Sequence, residues 1–367
     1  MEDAHYLAEA FRLAEKGLYT ADPNPRVGCV LVKDGRIVGK GFHLTTGEGH
    51  AEANALAEAG EESRGATAFV TLEPCSFHGR TPSCARALIA AGIKRVVAAM
   101  ADPHKKNAGE GFRNLRDAGI EVQTPLLESS ARALNPGHIK RHETGMPFVR
   151  LKLAMSLDGK TALANGESQW ITGPGARRDV QKLRARSSVI VTGVQTVIHD
   201  NPRMTVRAEE LDVEYRELAA KRRRPVYILD PRLRVPPESA VLKNHDNVLV
   251  CVHGMAEEKT FGVRILDAVE DTHHRIDLTR FLQHLAGEDC NEVLFECGAT
   301  LGGSLVEQGL CDELVIYIAP KIMGSSARSL LNVSEIDNMG DLFNMNIIDC
   351  RSVGDDIRIT AVPNQTG

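Results

Sequence analysis

GHAEANAL (residues 49–56), followed by ATAFVTLEPCSFHGRTPSC (66–84), is the stretch from which the first half of the chain is read. The small apolar residues after His50 predict a helix from His50 to Gly60. Ala66–Leu72 is a short apolar run ending at a proline and reads as a strand, and Cys84–Ala91 reads as a helix. Ala91-Gly92-Ile93 places a glycine where a helix can close in a left-handed conformation, before a strand at Arg95–Met100. Upstream, Ala4, Leu7, Ala8, Phe11, Ala14 and Leu18 recur at three- and four-residue steps and predict a helix over Asp3–Leu18. After a proline-punctuated loop, ADPNPRVG, strands are expected at Val27–Val32 and Ile37–Phe42, joined by the hairpin signal Asp34-Gly35. Downstream, a helix from about Gly111 ends at Ala118-Gly119-Ile120. The expected order, α-β-β-α-β-α-β-α-β-α, makes a sheet covered by helices.

The same stretch holds a metal-binding constellation. His50, Cys75 and Cys84 supply one imidazole and two sulfurs. A structural zinc takes four protein ligands, whereas a catalytic zinc takes three and leaves the fourth position to water, whose pKa it lowers towards about 7. Glu52 stands two residues after the histidine, where a carboxylate can flank the metal without binding it. There it can carry protons from water to a ring nitrogen and to departing ammonia, as hydrolytic deamination requires. Zinc deaminases carry His-x-Glu with Pro-Cys-x-x-Cys; this chain resembles them, with eight residues rather than two between its cysteines. That loop, SFHGRTPS, includes Arg80, which is either a phosphate clamp or a solvated arginine. Asn24, held between Pro23 and Pro25, suits reading a ring edge or simply filling a turn, and His43 follows the second strand towards the pocket mouth.

Around His138–Pro147 the text turns polar, and this is the expected domain boundary, giving units 1–145 and 146–367. The second half alternates again. Strands are expected at Phe148–Ala154, Val189–Thr192, Val226–Leu229, Val248–Val252, Val293–Glu296, Leu314–Ile318, Met345–Asp349 and Ile357–Val362. One helix, capped by Thr172, is expected to run to about Arg184, and another spans Ser304–Gln308. The run FECGATLGGS, Phe295–Ser304, is a strand ending in Glu296 and a glycine-rich turn entering a helix. It matches no standard nucleotide fingerprint and reads either as a phosphate cradle or as a tight helix start. Asp200-Asn201-Pro202 with Thr205 and Arg207 adds a polar corner.

Bulk composition limits the alternatives. The chain has 367 residues, 43% hydrophobic and 4% aromatic, with a formal net charge of −5. An acidic chain poor in aromatics lacks the basic, base-stacking surface that nucleic-acid binding needs. The run Lys221-Arg222-Arg223-Arg224 is read as a solvated loop. The acidic opening MEDAHYLAEAF has no signal-peptide core, and no apolar run reaches the roughly 18 residues of a membrane span. With eight cysteines, two of them better used as ligands, a chain of this size needs no disulfides, and the expectation is a cytoplasmic protein.

Several long motifs, in order, resemble the RibD family of bifunctional riboflavin-biosynthesis enzymes. They are PNPRVGCVLV, GHAEANAL, TLEPCSFHGRTPSC and AGIKRVV in the first half, then LKLAMSLDGKTA, GESQWITG, DNPRMTVR, FECGATLGGSL and ELVIYIAPKIMG in the second. The resemblance implies a cytidine-deaminase-like three-layer α-β-α domain followed by a dihydrofolate-reductase-like α/β domain. It implies two consecutive reactions on small phosphorylated pyrimidines. The first is deamination of 2,5-diamino-6-(5-phosphoribosylamino)pyrimidin-4(3H)-one at C2. The second is NADPH-dependent reduction of the ribosyl side chain of the resulting uracil.

By the same resemblance, His50, Cys75 and Cys84 hold one catalytic zinc per chain, Glu52 is catalytic, and Asn24, His43 and Arg80 contact the deaminase substrate. Ala154, Trp170, Thr196, Asp200, Gly298, Ala299, Thr300, Leu301, Gly302, Gly303 and Ser304 meet NADPH. Ser168, Arg184, Met204, Arg207 and Glu296 line the reductase substrate side, with Lys152 and Asp158 in matching motifs. The chain departs from the family at Phe77, His104, Lys105 and Pro231, the last removing a hydroxyl contact to the cofactor. The resemblance further implies a homodimer or larger homo-oligomer, and no nucleic-acid or membrane partner is expected. The rival reading is a zinc-dependent nucleobase deaminase whose second half is a non-catalytic ligand-binding or structural module.

Overall fold

The computed structural model describes residues 2–77, 83–252, 264–271 and 274–364. The chain divides into two compact units, Met1–Met146 and Pro147–Gly367.

The first unit runs α1 (Glu2–Glu15), β1 (Gly28–Lys33), β2 (Arg36–Phe42), α2 (Ala51–Ala59), β3 (Thr67–Val70), α3 (Cys84–Ala91), β4 (Arg95–Ala98), α4 (Glu110–Asp117), β5 (Glu121–Gln123), α5 (Glu128–Leu134) and α6 (Pro136–Thr144). Its five strands are ordered β2-β1-β3-β4-β5, with β3, β4 and β5 parallel. The β1–β2 hairpin turns through Asp34 (φ 50°) and Gly35 (φ 72°), the two left-handed residues such a tight turn requires. Alternation along β1 sends Cys29 and Leu31 to one face, against Ala51 and Ala55 of α2, Ala85 and Leu88 of α3, and Phe112 and Leu115 of α4. Val30 and Val32 face the other way, with Leu7 and Ala10 of α1, Ala131 of α5 and Ile139 of α6. Helices therefore cover both faces, which makes three layers. The stretch read as a polar boundary is mostly helix. Pro136 starts α6, Gly145 (φ 74°) closes it, and Gly137, His138 and Ile139 are buried.

The second unit comprises β6 (Phe148–Ser156), β7 (Lys160–Ala162), α7 (Pro174–Arg186), β8 (Val189–Gly193), α8 (Val194–Asp200), α9 (Arg216–Lys221), β9 (Val226–Leu229), α10 (Ala240–Asn244), β10 (Val248–Val252), β11 (Arg264–Asp267), α11 (Leu278–Gly287), β12 (Glu292–Glu296), α12 (Ala299–Glu307), β13 (Glu313–Ala319), β14 (Arg328–Ser329), β15 (Met345–Val353) and β16 (Asp356–Pro363). A nine-stranded sheet orders them β11-β10-β9-β8-β12-β6-β13-β16-β15. It is parallel from β11 to β13, and β16 and β15 close it antiparallel. Ile190, Val226, Ile228 and Val250 pack on one face, and Val180 and Leu183 of α7 pack with Leu294, Val315 and Tyr317 on the other.

Three local readings are corrected here. Thr172 does not cap α7; the cap position is Gly173, and Pro174 supplies the preset φ of a first helical turn. The helix expected from Ser304 begins at Ala299. The basic run is only partly solvated. Arg224 is buried and donates to the carbonyls of Ala219 (2.8 Å) and Ala185, the latter in the last turn of α7, where cations are favoured.

Candidate active sites

In the first unit, two helix starts converge on the turn after β3. His50 is the residue capping α2, and Cys84 is the first residue of α3. Cys75 lies in the turn; its carbonyl accepts from Ser83 Oγ at 2.9 Å, and its sulfur accepts from the Cys84 backbone N–H at 3.3 Å. His50 Nδ1 stands 3.3 Å from Cys84 Sγ and 3.7 Å from Cys75 Sγ. Zinc arms of about 2.0 Å to nitrogen and 2.3 Å to sulfur, at a tetrahedral angle, put the two about 3.5 Å apart. The donor set therefore fits zinc in both chemistry and spacing. Among the described residues this is the one such cluster.

Electrostatics match the geometry. Hydrogen bonding from Cys84, with His50 beside it, holds the Cys75 thiol down at about 4, while Cys84, sharing that proton and buried, is held well above the ordinary thiol range. Glu52, in the first turn of α2, is 3% exposed. Burial, reinforced by the charge of Cys75, pushes its carboxyl up to about 7. A cation at the triad draws it back down.

His43 is buried, and its ring centroid is 5.3 Å from that of His50. Its Nδ1 is 3.2 Å from the Gly49 carbonyl and so carries the proton; its Nε2 then accepts from Asn24 Nδ2 at 3.0 Å. Burial lowers the His43 pKa and keeps the ring neutral. Arg80 lies outside the described residues. Phe77 stacks on His104 with centroids 5.9 Å apart, so two of the positions that depart from the resembled family meet each other. Glu73 was passed over in the sequence because its partners lie far downstream, at Asp102, Gly109, Gly111 and Phe112.

In the second unit, a cavity of about 1390 Å³ lies at the carboxyl ends of β8, β9 and β12. Ligands bind on this side of parallel sheets. Lys152, Ala154, Ser168, Trp170, Arg184, Thr196, Asp200, Met204, Arg207, Glu296, Gly298, Ala299, Thr300, Leu301 and Ser304 all line it. Basic lining residues outnumber acidic ones eight to four, a surplus that suits phosphorylated ligands. Sequence reading missed Arg177, Arg234, Arg275 and Arg328 of this set; Arg177 lies 4.7 Å over the ring of Trp170. Glu296 and Arg184 are tied to each other, and Ser168 Oγ donates to Asp200 Oδ1 at 2.5 Å. Arg207 is paired with Glu210 at 2.6 Å. Lys152 Nζ is 5.9 Å from the Tyr317 ring centroid, and its pKa is lowered by burial.

Three expected residues are absent from that lining. Gly302 and Gly303 lie inside α12 rather than in a turn. A Cβ on Gly302 meets Leu331 at 3.0 Å and Leu151 at 3.5 Å, and one on Gly303 meets the Asn332 carbonyl at 1.9 Å, so close packing is what requires them to be glycine. Asp158 accepts from Ser156 Oγ (2.5 Å) and from the backbone N–H groups of Met323 (3.0 Å) and Gly324 (2.7 Å), which places it as a loop anchor. Only Gly298, at the cap of α12, is both open and in the cavity wall.

Two family models match the chain. The cytidine and deoxycytidylate deaminase zinc-binding region covers residues 1–100, and the RibD C-terminal domain covers residues 147–359. The riboflavin biosynthesis protein RibD of Escherichia coli (strain K12) is 46% identical over 97% of this chain and 98% of its own length. That of Haemophilus influenzae is 46% identical over 99% and 98%. A solved structure of Acinetobacter baumannii RibD aligns with a TM-score of 0.90 at 42% identity, covering 99% of each chain. A Thermotoga maritima structure described as a diaminohydroxyphosphoribosylaminopyrimidine deaminase/5-amino-6-(5-phosphoribosylamino)uracil reductase aligns with a TM-score of 0.85 at 30% identity, again over 99% of each chain.

Proposed function

Because the chain belongs to the RibD family of riboflavin-biosynthesis enzymes, we propose that His50, Cys75 and Cys84 hold its zinc and that Glu52 moves the protons of deamination. The chain is a bifunctional deaminase and reductase, hence both a hydrolase and an oxidoreductase, and it uses zinc and NADPH. It hydrolyses the C2 amino group of 2,5-diamino-6-(5-phosphoribosylamino)pyrimidin-4(3H)-one, then reduces the ribosyl side chain of the uracil product to ribitylamino phosphate. The rival in which the second half is non-catalytic is set aside, since that half matches the reductase domain over residues 147–359.

Zinc, when bound, makes water acidic enough to attack near neutral pH. The protein supplies the rest. Glu52, shielded from solvent beside the donor triad, takes one proton from water and passes it to the adjacent ring nitrogen; it then takes the second proton, from the new C2 hydroxyl, and passes it to the amino group, which leaves as ammonia while C2 becomes a carbonyl. His43, locked as the Nδ1–H tautomer, fixes Asn24, whose amide is then oriented towards the pyrimidine edge.

NADPH, when bound, supplies the hydride. Ala154, Trp170, Thr196, Asp200 and the start of α12, from Gly298 to Leu301 with Ser304, form its side of the cavity. Gly298 and the first free N–H groups of α12 suit a phosphate. Ser168, Arg184, Met204, Arg207 and Glu296 form the substrate side, with Lys152 beside them. Hydride transfer depends mainly on holding the two reactants together.

Self-association and a cytoplasmic location complete the reading. The edge strand β15 exposes Ile347 and Ile348, an apolar edge that pairing with a second copy would cover. All eight cysteines are free, which suits a reducing compartment. Among the described residues, no helix is long and apolar enough to cross a membrane.

The observation that carries the reading is the convergence of one imidazole and two thiols beside a buried glutamate. The test is one reaction with the diaminopyrimidine, zinc and NADPH, following ammonia and NADPH separately. Ammonia release should precede NADPH loss. Ammonia without NADPH loss would remove the reductase half of the reading.

A further inference from the structure

We infer that Glu73 and Asn107 are positioning residues for deamination: they lock the turn carrying Cys75 onto the loop between β4 and α4 and so fix that sulfur at the zinc position. The inference rests on the reading of His50, Cys75 and Cys84 as zinc ligands.

Glu73 and Asn107 are both buried, and neither touches the donor triad through any hydrogen bond described. The Glu73 carboxylate accepts four backbone N–H groups. Oε2 takes Asp102 and Gly109, each at 3.0 Å; Oε1 takes Gly111 at 2.9 Å and Phe112 at 3.4 Å. Helix α4 starts after Gly109, which has no side chain to cap it. Glu73 thus caps α4 from the turn after β3, placing a carboxylate where unsatisfied N–H groups and the helix dipole favour one. The approach is close: a Cβ on Gly111 would stand 2.0 Å from the Pro74 carbonyl.

Asn107 closes the other side of the turn. Its Oδ1 accepts the Ser76 backbone N–H at 2.9 Å, while its Nδ2 faces the Glu73 carbonyl at 3.5 Å and Asp102 Oδ2 at 3.4 Å. Cys75 is therefore held between two anchored neighbours, Glu73 through its side chain and Ser76 through its backbone. Asp102 is tied in turn to His138 Nε2 of α6 at 2.9 Å. A thiolate belongs at a ligand distance only while its turn cannot relax, because groups outside the ligand set orient the ligands themselves.

The test uses the full chain with cobalt in place of zinc. Cobalt–thiolate absorption reports directly on the two sulfurs, and metal release to a chelator reports how firmly they hold. Glu73→Gln keeps the size and removes the second equivalent acceptor; Asn107→Ala frees the Ser76 N–H. Both are expected to weaken or shift the cobalt–thiolate band and speed metal release by about 10- to 100-fold. Deaminase kcat should fall more than KM changes, and NADPH oxidation with the uracil intermediate should continue. Folded variants with the wild-type band and wild-type release rate would overturn the inference. If Glu73→Gln loses the melting transition of its domain, Asn107→Ala decides alone. Absence of a cobalt–thiolate band in the unaltered chain would instead defeat the zinc-ligand reading.

Discussion

Arg184 grips Glu296 with two nitrogens, Nε to Oε1 at 2.5 Å and Nη2 to Oε2 at 2.9 Å, in the wall of the reductase cavity. The third nitrogen, Nη1, donates to the Thr205 carbonyl at 3.0 Å. A fork held at both ends presents a fixed surface rather than a mobile charge. Glu296→Gln leaves Arg184 with one carbonyl acceptor where it had a carboxylate. Reductase kcat/KM is expected to fall at least about tenfold, as the loss of a charge-assisted pair implies, while ammonia release is unchanged. Separate assays of the two half-reactions check this.

The glycines of α12 separate binding from packing. Gly298 has open space where a Cβ would stand, whereas Gly303 would collide with the Asn332 carbonyl at 1.9 Å. Gly298→Val is expected to weaken NADPH binding about tenfold or more without lowering the melting temperature. Gly303→Ala is expected to cost about 1–3 kcal/mol of stability through overpacking. Fluorescence titration with NADPH and thermal melting distinguish the two.

Glu52 is expected to act on protons and not on zinc retention. Glu52→Gln should keep bound zinc and lower ammonia release by roughly 10²- to 10⁴-fold, the usual contribution of a positioned acid–base group. Metal analysis with a single-turnover ammonia assay checks both parts.

His142 gives the first unit an acid sensitivity of known sign. Burial, with nearby His138, Arg141 and His104 adding to it, lowers its pKa from 6.5 to about 4; Asp102 opposes this. Between these values the unfolded chain binds a proton that the folded chain refuses, so stability falls as pH drops from about 6.5 to about 4 and levels off below. His142→Gln removes that contribution. Its melting temperature should fall less than that of the unaltered chain between pH 7 and pH 5, as measured by calorimetry.

How much of this was legible follows from how local each feature is. The β1–β2 hairpin is written in Asp34-Gly35, and the donor triad in motifs where each ligand opens a helix or follows a proline. The anchoring roles of Glu73 and Asp158 were illegible for one reason. Their acceptors serve backbone N–H groups 29–39 and about 165 residues downstream, and no sequence pattern marks such partners. The glycine-rich run after Glu296 was read as a turn because glycine permits one. The structure continues the helix through Gly302 and Gly303, where Leu331 and Asn332 leave no room for a side chain. The polar stretch before Pro147 hid α6 because only Gly137, His138 and Ile139 of it are buried, too few for a visible stripe.

The central claim is that one metal site in the first unit drives deamination independently of the reductase. The most direct measurement strips the full-length protein with a chelator and follows both half-reactions, each with its own substrate. Ammonia release should vanish and return with stoichiometric zinc, while NADPH oxidation with the uracil intermediate continues throughout. Ammonia release that persists in protein containing no divalent metal would contradict the account.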